Sequence, residues 1–168
     1  MKPTVLAGAL LNDVGPIIGG AAFSDIVDYM GADRVHDNIE MAITYLKTQF
    51  PDLPANDEAT WTTLVENVMC QSEDGRLRPD WDPNIAAPLQ NKKETMIPKL
   101  WPLFRALGGR PILALRGGRS KLLSRETFSD MEHFINGIRC ITIADAGHPV
   151  DLMHPDVLVE IDTWLEKT

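Results

Sequence analysis

A short apolar run late in the chain decides the fold: it reads Pro111-Ile112-Leu113-Ala114-Leu115 and is followed by Arg116-Gly117-Gly118. It lacks the alternation of apolar and polar residues of a half-exposed strand, which is typical of a parallel strand covered on both faces. Runs of the same character occupy residues 5–11 and 139–143. The sequence therefore predicts three parallel strands, adjacent in chain order, near residues 4–11, 111–116 and 139–144.

Helical patterns follow the last two runs. Ser124 suits the N-cap of a helix over residues 125–134, because its hydroxyl can accept a hydrogen bond from a first-turn N–H group. A second helix, starting at Pro155 or Asp156, carries one apolar stripe. Strand, helix, strand, helix is typical of the end of a doubly wound sheet, so the predicted fold class is α/β with flanking helices.

The segment between the first and second runs has a different pattern. Residues 23–107 contain no convincing strand, and this stretch is far longer than an ordinary crossover between neighbouring strands. We therefore predict an inserted all-helical cap over residues 23–107, with an α/β core made of residues 1–22 and 108–168. The helical patterns within the insertion lie over residues 35–50, 60–70 and 98–107.

Composition excludes several classes of protein. The 168-residue chain has a formal net charge of −8, which argues against a nucleic-acid partner because such partners require clustered Lys and Arg. Cys70 and Cys140 form no C-x-x-C pair, so we expect buried free thiols in a reducing compartment, the cytoplasm. The histidines lack zinc-site spacing and the apolar N-terminal run is too short to span a membrane, so no metal, other cofactor or membrane contact is expected.

His148 is the leading candidate catalytic residue. It follows the third apolar run in Ala146-Gly147-His148, and open α/β sheets place their chemistry just beyond the carboxyl ends of their strands. A histidine base needs a nucleophile to deprotonate and a group that holds its tautomer. The sequence contains no G-x-S-x-G, the turn that presents a hydrolase serine.

A series of motifs runs in order along nearly the whole chain: Leu10-Leu11-Asn12-Asp13-Val14-Gly15-Pro16, Gly75-Arg76-Leu77-Arg78, Asp82-Pro83-Asn84-Ile85-Ala86, Trp101-Pro102-Leu103-Phe104, Arg110-Pro111-Ile112-Leu113-Ala114-Leu115-Arg116-Gly117 and Ala146-Gly147-His148. Together they resemble the C-terminal half of the α/β-hydrolase superfamily. The resemblance implies a truncated α/β-hydrolase fold with a helical cap, and it places His148 at the catalytic histidine. It also implies that the first five strands, the nucleophile elbow and the oxyanion-hole loop precede Met1 in such proteins and are absent here.

The usual acid position departs from the family. In the family that this chain resembles, the loop after the corresponding strand reads R-G-x-x-S-D-L-L-S. This chain has Lys121 in place of the aspartate. Some relatives place the acid after the preceding strand of the sheet, which here is Asp13. Asp13 is therefore a candidate substitute, although it could also serve only to cap its turn. Asp145 and Asp151 are interpreted as residues that structure their loop, and His148 itself could be an inherited loop residue.

These features leave two functions open. The chain could be the C-terminal portion of a hydrolase of small ester, lactone or C–C bonded substrates, inactive unless another polypeptide supplies the serine. Alternatively, it could be a non-catalytic pseudoenzyme that binds a ligand or protein partner. The cationic loop from Arg116 to Lys121 could also hold an anion ahead of the Ser124 cap, although it lacks Walker spacing and is interpreted as an ordinary strand–helix loop.

The first predicted strand also indicates that the chain associates with another polypeptide. Residues 5–11 contain no lysine, proline or inward charge, and such an edge is open to pairing with another chain. We expect either a homodimer or a complex with a partner that provides the N-terminal half of the fold.

Overall fold

The computed structural model describes residues 6–17, 20–51, 53, 57–88 and 99–168. The chain divides into two compact units. The first, Met1–Ala22 together with Ile97–Thr168, is called the sheet unit; the second, Phe23–Met96, is called the inserted unit.

The elements of the described residues follow one another as β1 (Ala9–Asn12), α1 (Gly20–Gly31), α2 (Ile39–Gln49), α3 (Glu58–Val68), β2 (Met69–Gln71), β3 (Leu77–Pro79), α4 (Trp101–Arg105), β4 (Ile112–Gly117), α5 (Arg125–Phe134), β5 (Ile138–Ile143) and α6 (Pro155–Leu165). A short 3₁₀ helix lies between β3 and α4, at Pro83–Ala86. None of the described helices is long and apolar enough to cross a membrane.

The sheet unit contains a three-stranded parallel sheet in the order β1-β4-β5. The predicted strands and their direction are therefore confirmed. β1 begins only at Ala9, later than predicted; residues 6–8 are not strand, and residues 4 and 5 lie outside the described residues. Regular pairing starts where the Ala9 N–H donates to the Pro111 carbonyl at 3.0 Å. Just before it, Gly8 lies so close to α6 that a Cβ there would be 2.9 Å from Trp164 Cζ2.

β4 is the centre of the sheet unit, and every one of its residues is buried. Its side chains alternate between two apolar clusters, one on each face of the sheet, which is why the run lacks polar alternation. One cluster contains Phe104, Ile112, Ala114, Leu123, Phe128, Met131, Ile135 and Ile138. The other contains Leu113, Leu115, Ala146, Val150 and Val157.

The helices that flank this sheet begin where the sequence predicts. The Ser124 side chain accepts a hydrogen bond from the Thr127 N–H at the start of α5, and α6 begins at Pro155. A proline is tolerated at the first helical position because the N–H it lacks would have no helical partner there.

The inserted unit is not all-helical, so that part of the predicted fold is wrong. β2 and β3 pair as an antiparallel hairpin, and α3 ends at Val68 instead of continuing to Cys70. The hairpin turn is stabilised by Gly75, whose φ of +81° favours glycine, and by the Ser72 hydroxyl, which donates to Asp74 at 2.7 Å. Such short strands have too few residues to show a period of two, so the sequence alone did not reveal them.

Two further bounds of the insertion differ from the sequence-based expectation. The predicted helix over residues 35–50 begins only at Ile39, because the backbone of His36 pairs with Leu77 of the hairpin. The expected end of the insertion at Leu107 also differs, since the unit ends at Met96. The α4 residue Phe104 instead packs in an apolar cluster of the sheet unit.

Candidate active site

Three loops meet at one edge of the parallel sheet, because the carboxyl ends of parallel strands lie together. Asn12 and Asp13 lie at the end of β1, Ser120 lies in the loop after β4, and His148 lies in the loop after β5. Each of these loops contributes at least one polar side chain to a single hydrogen-bonded cluster.

Asp13 is the centre of this cluster and is completely buried, with 0 % of its surface exposed. Its backbone continues the sheet, donating to the Leu115 carbonyl at 2.9 Å, and then turns at a φ of 55°, which aspartate tolerates better than most residues. Its Oδ1 accepts the Gly117 N–H at 3.0 Å, and its Oδ2 accepts the Ser120 hydroxyl at 2.5 Å. The buried carboxylate is thus held by donors from β4 and from the loop that follows it.

The same carboxylate binds His148. His148 Nδ1 lies 2.8 Å from Asp13 Oδ2, and the imidazole side chain is 28 % exposed. A carboxylate accepts hydrogen bonds, so this contact requires a proton on Nδ1, and in the neutral imidazole it leaves Nε2 as the acceptor. The structure thus places the two predicted site residues in direct contact, and Asp13 does more than cap its own turn.

Asn12 ties the histidine loop to β1. Its side-chain amide donates to the Val150 carbonyl at 2.9 Å and accepts the Val150 N–H at 3.0 Å. This reciprocal pair holds the loop two residues beyond His148 against the strand that carries Asp13. The sequence alone does not reveal this role of Asn12, since an Asn-Asp pair after an apolar run simply indicates a turn.

The loop after β4 is shaped by Arg116, which is buried. Its Nε donates to the Leu123 carbonyl at 2.9 Å, and its two terminal nitrogens lie 3.5 Å from the carbonyls of Gly118 and Ser120. This guanidinium therefore binds its own loop, which supports the interpretation of the segment as a strand–helix connection and not an anion site. Lys121 is exposed.

The loops after β4 and β5 approach each other at glycine. A Cβ at Gly117 would lie 2.0 Å from the Gly147 carbonyl oxygen, and one at Gly118 would lie 2.2 Å from that of Ala144. Only glycine fits at such distances, so these positions allow the Ser120 and His148 loops to pack closely.

No described group is poised as a nucleophile at His148. The Ser120 hydroxyl contacts Asp13 and not the imidazole. Cys140 lies within β5, and burial, with a smaller effect of Glu132, raises the pKa of its thiol to about 11, which keeps it protonated and unreactive. Within the described ranges, no three His, Cys, Asp or Glu side chains gather as a metal site.

Asp151 has a local role, as expected from the sequence. Its Oδ1 accepts the Met153 N–H at 2.9 Å, which structures the loop before α6. At Asp145 it is the backbone carbonyl that accepts a hydrogen bond, from Arg119.

Comparison with known proteins agrees with this architecture. No family model matches the chain. The chain is 30 % identical over 156 residues to a 3-hydroxybutyrate-oligomer hydrolase of Cupriavidus necator, covering 87 % of this chain and 52 % of the relative. It is 31 % identical to an α/β hydrolase of Novosphingobium aromaticivorans, whose crystal structure superposes with a TM-score of 0.87 over 99 % of this chain and 59 % of that one.

A more distant structure supports the fold alone. The E-2-(acetamidomethylene)succinate hydrolase is 22 % identical, with a TM-score of 0.75 over 98 % of this chain and 59 % of its own. The chain therefore has the α/β-hydrolase fold in part, as its sequence motifs predicted. It spans about half the length of the curated relative and slightly more of the two structures.

Proposed function

We propose that this chain supplies the acid–base pair of an α/β hydrolase, with His148 as the general base and Asp13 as the acid that orients it. The observation that carries the proposal is the 2.8 Å contact between His148 Nδ1 and the buried Asp13 carboxylate, which are 135 positions apart in sequence. If Asp13 only capped its turn and His148 were only a loop residue, neither role would require this contact. A serine on a further polypeptide segment completes the site.

The chemistry follows from the tautomer. His148 Nε2 takes the proton of the serine hydroxyl as the serine oxygen attacks the substrate carbonyl, and the Asp13 carboxylate stabilises the imidazolium that forms. The imidazolium then returns the proton to the leaving alcohol oxygen. Water repeats the cycle: His148 takes its proton, the hydroxide oxygen adds to the acyl carbon, and the serine leaves with the proton.

The proposed substrates are small ester, lactone or C–C bonded compounds. The Cupriavidus necator relative is named for the hydrolysis of 3-hydroxybutyrate oligomers. We take short hydroxy-acid esters as the first substrates to assay.

The open side of β1 supports docking of the serine-bearing segment. The Ala9 and Asp13 N–H groups pair with β4, so those of Leu10 and Asn12 point to the opposite edge, which no described strand covers. β1 also contributes Leu11 to an apolar groove of about 190 Å³, which we call the α4 groove. It is lined by Leu11, Val14, Gly15, Pro16, Leu100, Leu103, Phe104 and Leu107.

The experiment combines the chain with the part of the Novosphingobium hydrolase that its match does not cover. We expect a one-to-one complex by light scattering and turnover of p-nitrophenyl butyrate that is lost in His148→Ala. Leu103→Glu, in the α4 groove, should weaken the complex at least tenfold, whereas Val159→Glu on α6 should not; both side chains are more than half exposed, at 53 % and 64 %.

Three outcomes distinguish the alternatives. A complex without His148-dependent turnover would favour the non-catalytic binding role. The observation that supports this role is Lys121 at the usual position of the acid. A chain that instead forms a homodimer would place a second copy on the β1 edge. Turnover by the chain alone would show that no second segment is needed.

We also propose the cytoplasm as the compartment. Cys70 and Cys140 are both free thiols, which agrees with a reducing environment, and both are partly buried, less than the sequence predicts. Fractionation of the native host would test this assignment.

A further inference from the structure

We propose that Ser120 is a positioning residue that holds Asp13 in the orientation His148 needs. The proposal rests on the proposed acid–base role of Asp13 and His148. It assigns a new part to the loop after β4: this loop has Lys121 at the position where the resemblance places the acid, and its Ser120 donates to an acid at the end of the neighbouring strand.

The direction of the Ser120 hydroxyl is determined by its neighbours. Its oxygen accepts the N–H of Leu122 at 3.1 Å and that of Leu123 at 3.3 Å. A hydroxyl has two acceptor sites and a single proton, so the proton is left to donate to Asp13 Oδ2 at 2.5 Å. The hydroxyl cannot turn away without leaving the two N–H groups unpaired.

The Asp13 carboxylate needs this donor because it is fully buried and no described Lys or Arg is paired with it, His148 being its one described ion-pair partner. A buried charge is tolerated only when hydrogen bonds replace the water it has lost. The Gly117 N–H binds Oδ1, while Ser120 and His148 share Oδ2. Removal of the Ser120 hydroxyl leaves His148 as the only side-chain donor among these contacts, so the carboxylate can rotate.

The loop presents Ser120 rigidly. Arg116 binds the backbone carbonyls of Gly118, Ser120 and Leu123, which brackets the serine on both sides. The adjacent Lys121 is exposed, so the loop delivers its polar contact to Asp13 through residue 120 and not through residue 121.

The test uses nitrogen-15 NMR of the imidazoles in the full chain at pH 8, with His148 identified by His148→Gln. Wild type should show the Nδ1–H tautomer of His148 and slow exchange of that proton with water. In Ser120→Ala we expect at least tenfold faster exchange and a mixture of both tautomers. Ser120→Thr, which keeps a hydroxyl, should restore the wild-type spectrum, and the exposed Ser129→Ala should leave it unchanged.

Ser120→Cys keeps the test decisive if Ser120→Ala does not fold. A thiol is a weak donor, so the exchange should again be faster than in Ser120→Thr. Wild-type exchange and tautomer in Ser120→Ala or Ser120→Cys would overturn the proposal. In the complex of this chain with the Novosphingobium segment, which we call the complemented enzyme, Ser120→Ala should lower kcat at least tenfold with little change in KM.

This readout separates the two proposals. A change of the His148 tautomer without any turnover of the complex would support Ser120 as a positioning residue and contradict the proposed activity. His148-dependent turnover with an unchanged Ser120→Ala spectrum would do the reverse.

Discussion

The loops of the candidate active site and the inserted unit bury polar groups in different ways. In the sheet unit, both Asp13 oxygens and all three Arg116 nitrogens have partners within 3.5 Å. In the inserted unit, His36 is 7 % exposed and its Nε2 has no partner among the described residues. The loops of the candidate active site thus hold their polar groups in one geometry, as an acid–base pair requires. Outside these loops the sheet unit also buries a group without a partner among the described residues, Trp164 Nε1.

The inserted unit relies instead on ring packing. Tyr29 packs against Tyr45, Phe50 and Trp81, with centroid distances of 6.2, 4.9 and 5.4 Å. Burial, and then Tyr45, raise the pKa of the Tyr29 hydroxyl to about 12, so it stays uncharged. Apolar packing is less directional than hydrogen bonding, and this unit can therefore accept side-chain changes that the site loops cannot.

Asp13→Asn should break the site with the largest effect on activity. Asparagine keeps the shape and tolerates the positive φ, and an amide that presents its NH₂ group to His148 Nδ1 favours the wrong tautomer. In the complemented enzyme we expect turnover to fall by about ten-thousand-fold, as for loss of a triad acid. The measurement is kcat together with the His148 tautomer by NMR. Retained activity would show that Asp13 is not the acid.

Leu113→Ala should have the largest effect on stability. Leu113 is fully buried in β4, and a leucine-to-alanine change in a core costs about 2–5 kcal/mol. Urea unfolding, followed by fluorescence, measures this loss. The matched control is the exposed Leu165→Ala on α6, 54 % exposed, which should change the unfolding free energy little. Similar losses in both variants would contradict a core centred on β4.

Asn12→Ala should loosen the histidine loop. It removes both hydrogen bonds to Val150 and leaves two partly buried backbone groups unpaired, which costs about 1–3 kcal/mol. The Val150 amide should exchange with water faster in this variant. Asn12→Asp keeps the acceptor for that N–H, so it should protect the amide better than alanine does. Equal exchange in wild type and Asn12→Ala would exclude the role of this pair.

His36 provides the smallest effect, seen as pH dependence. Burial, and then the charge of Arg34, lower the pKa of His36 below its usual value, with Asp37 opposing them. The unfolded chain therefore binds this proton more readily than the folded one. The stabilisation is complete above about pH 6.5, the ordinary pKa of histidine, and is lost as the pH falls through the lower folded value.

The measurement is urea unfolding at pH 7.5 and pH 5. His36→Phe should show a smaller decrease of unfolding free energy between the two pH values than wild type, because it has no imidazole to protonate. His133→Gln, which changes an exposed histidine, should keep the wild-type dependence. If the unfolding free energy of His36→Phe decreased between pH 7.5 and pH 5 as much as that of wild type, His36 would not titrate as its burial implies.

The sequence determined by itself the features that depend on neighbours in the chain. Apolar runs without alternation predicted the strands, a serine before a helical pattern predicted the start of α5, and the position after a strand predicted that His148 lies at the sheet edge. These follow from burial and from capping within a few residues. The tertiary structure decided the rest.

Asp13 shows the physical reason. Between Asn12 and Val14 its residue type indicates a turn, and only the register of β1 against β4 brings it to Gly117, Ser120 and His148. The β2–β3 hairpin is similar: Met69 and Cys70 extend the apolar pattern of α3, and pairing with β3 takes them out of the helix. The partners of Asp13 lie more than 100 positions away, whereas the hairpin pairs residues 6 to 10 positions apart. In neither case does the apolar pattern of one segment identify the residue that it pairs with.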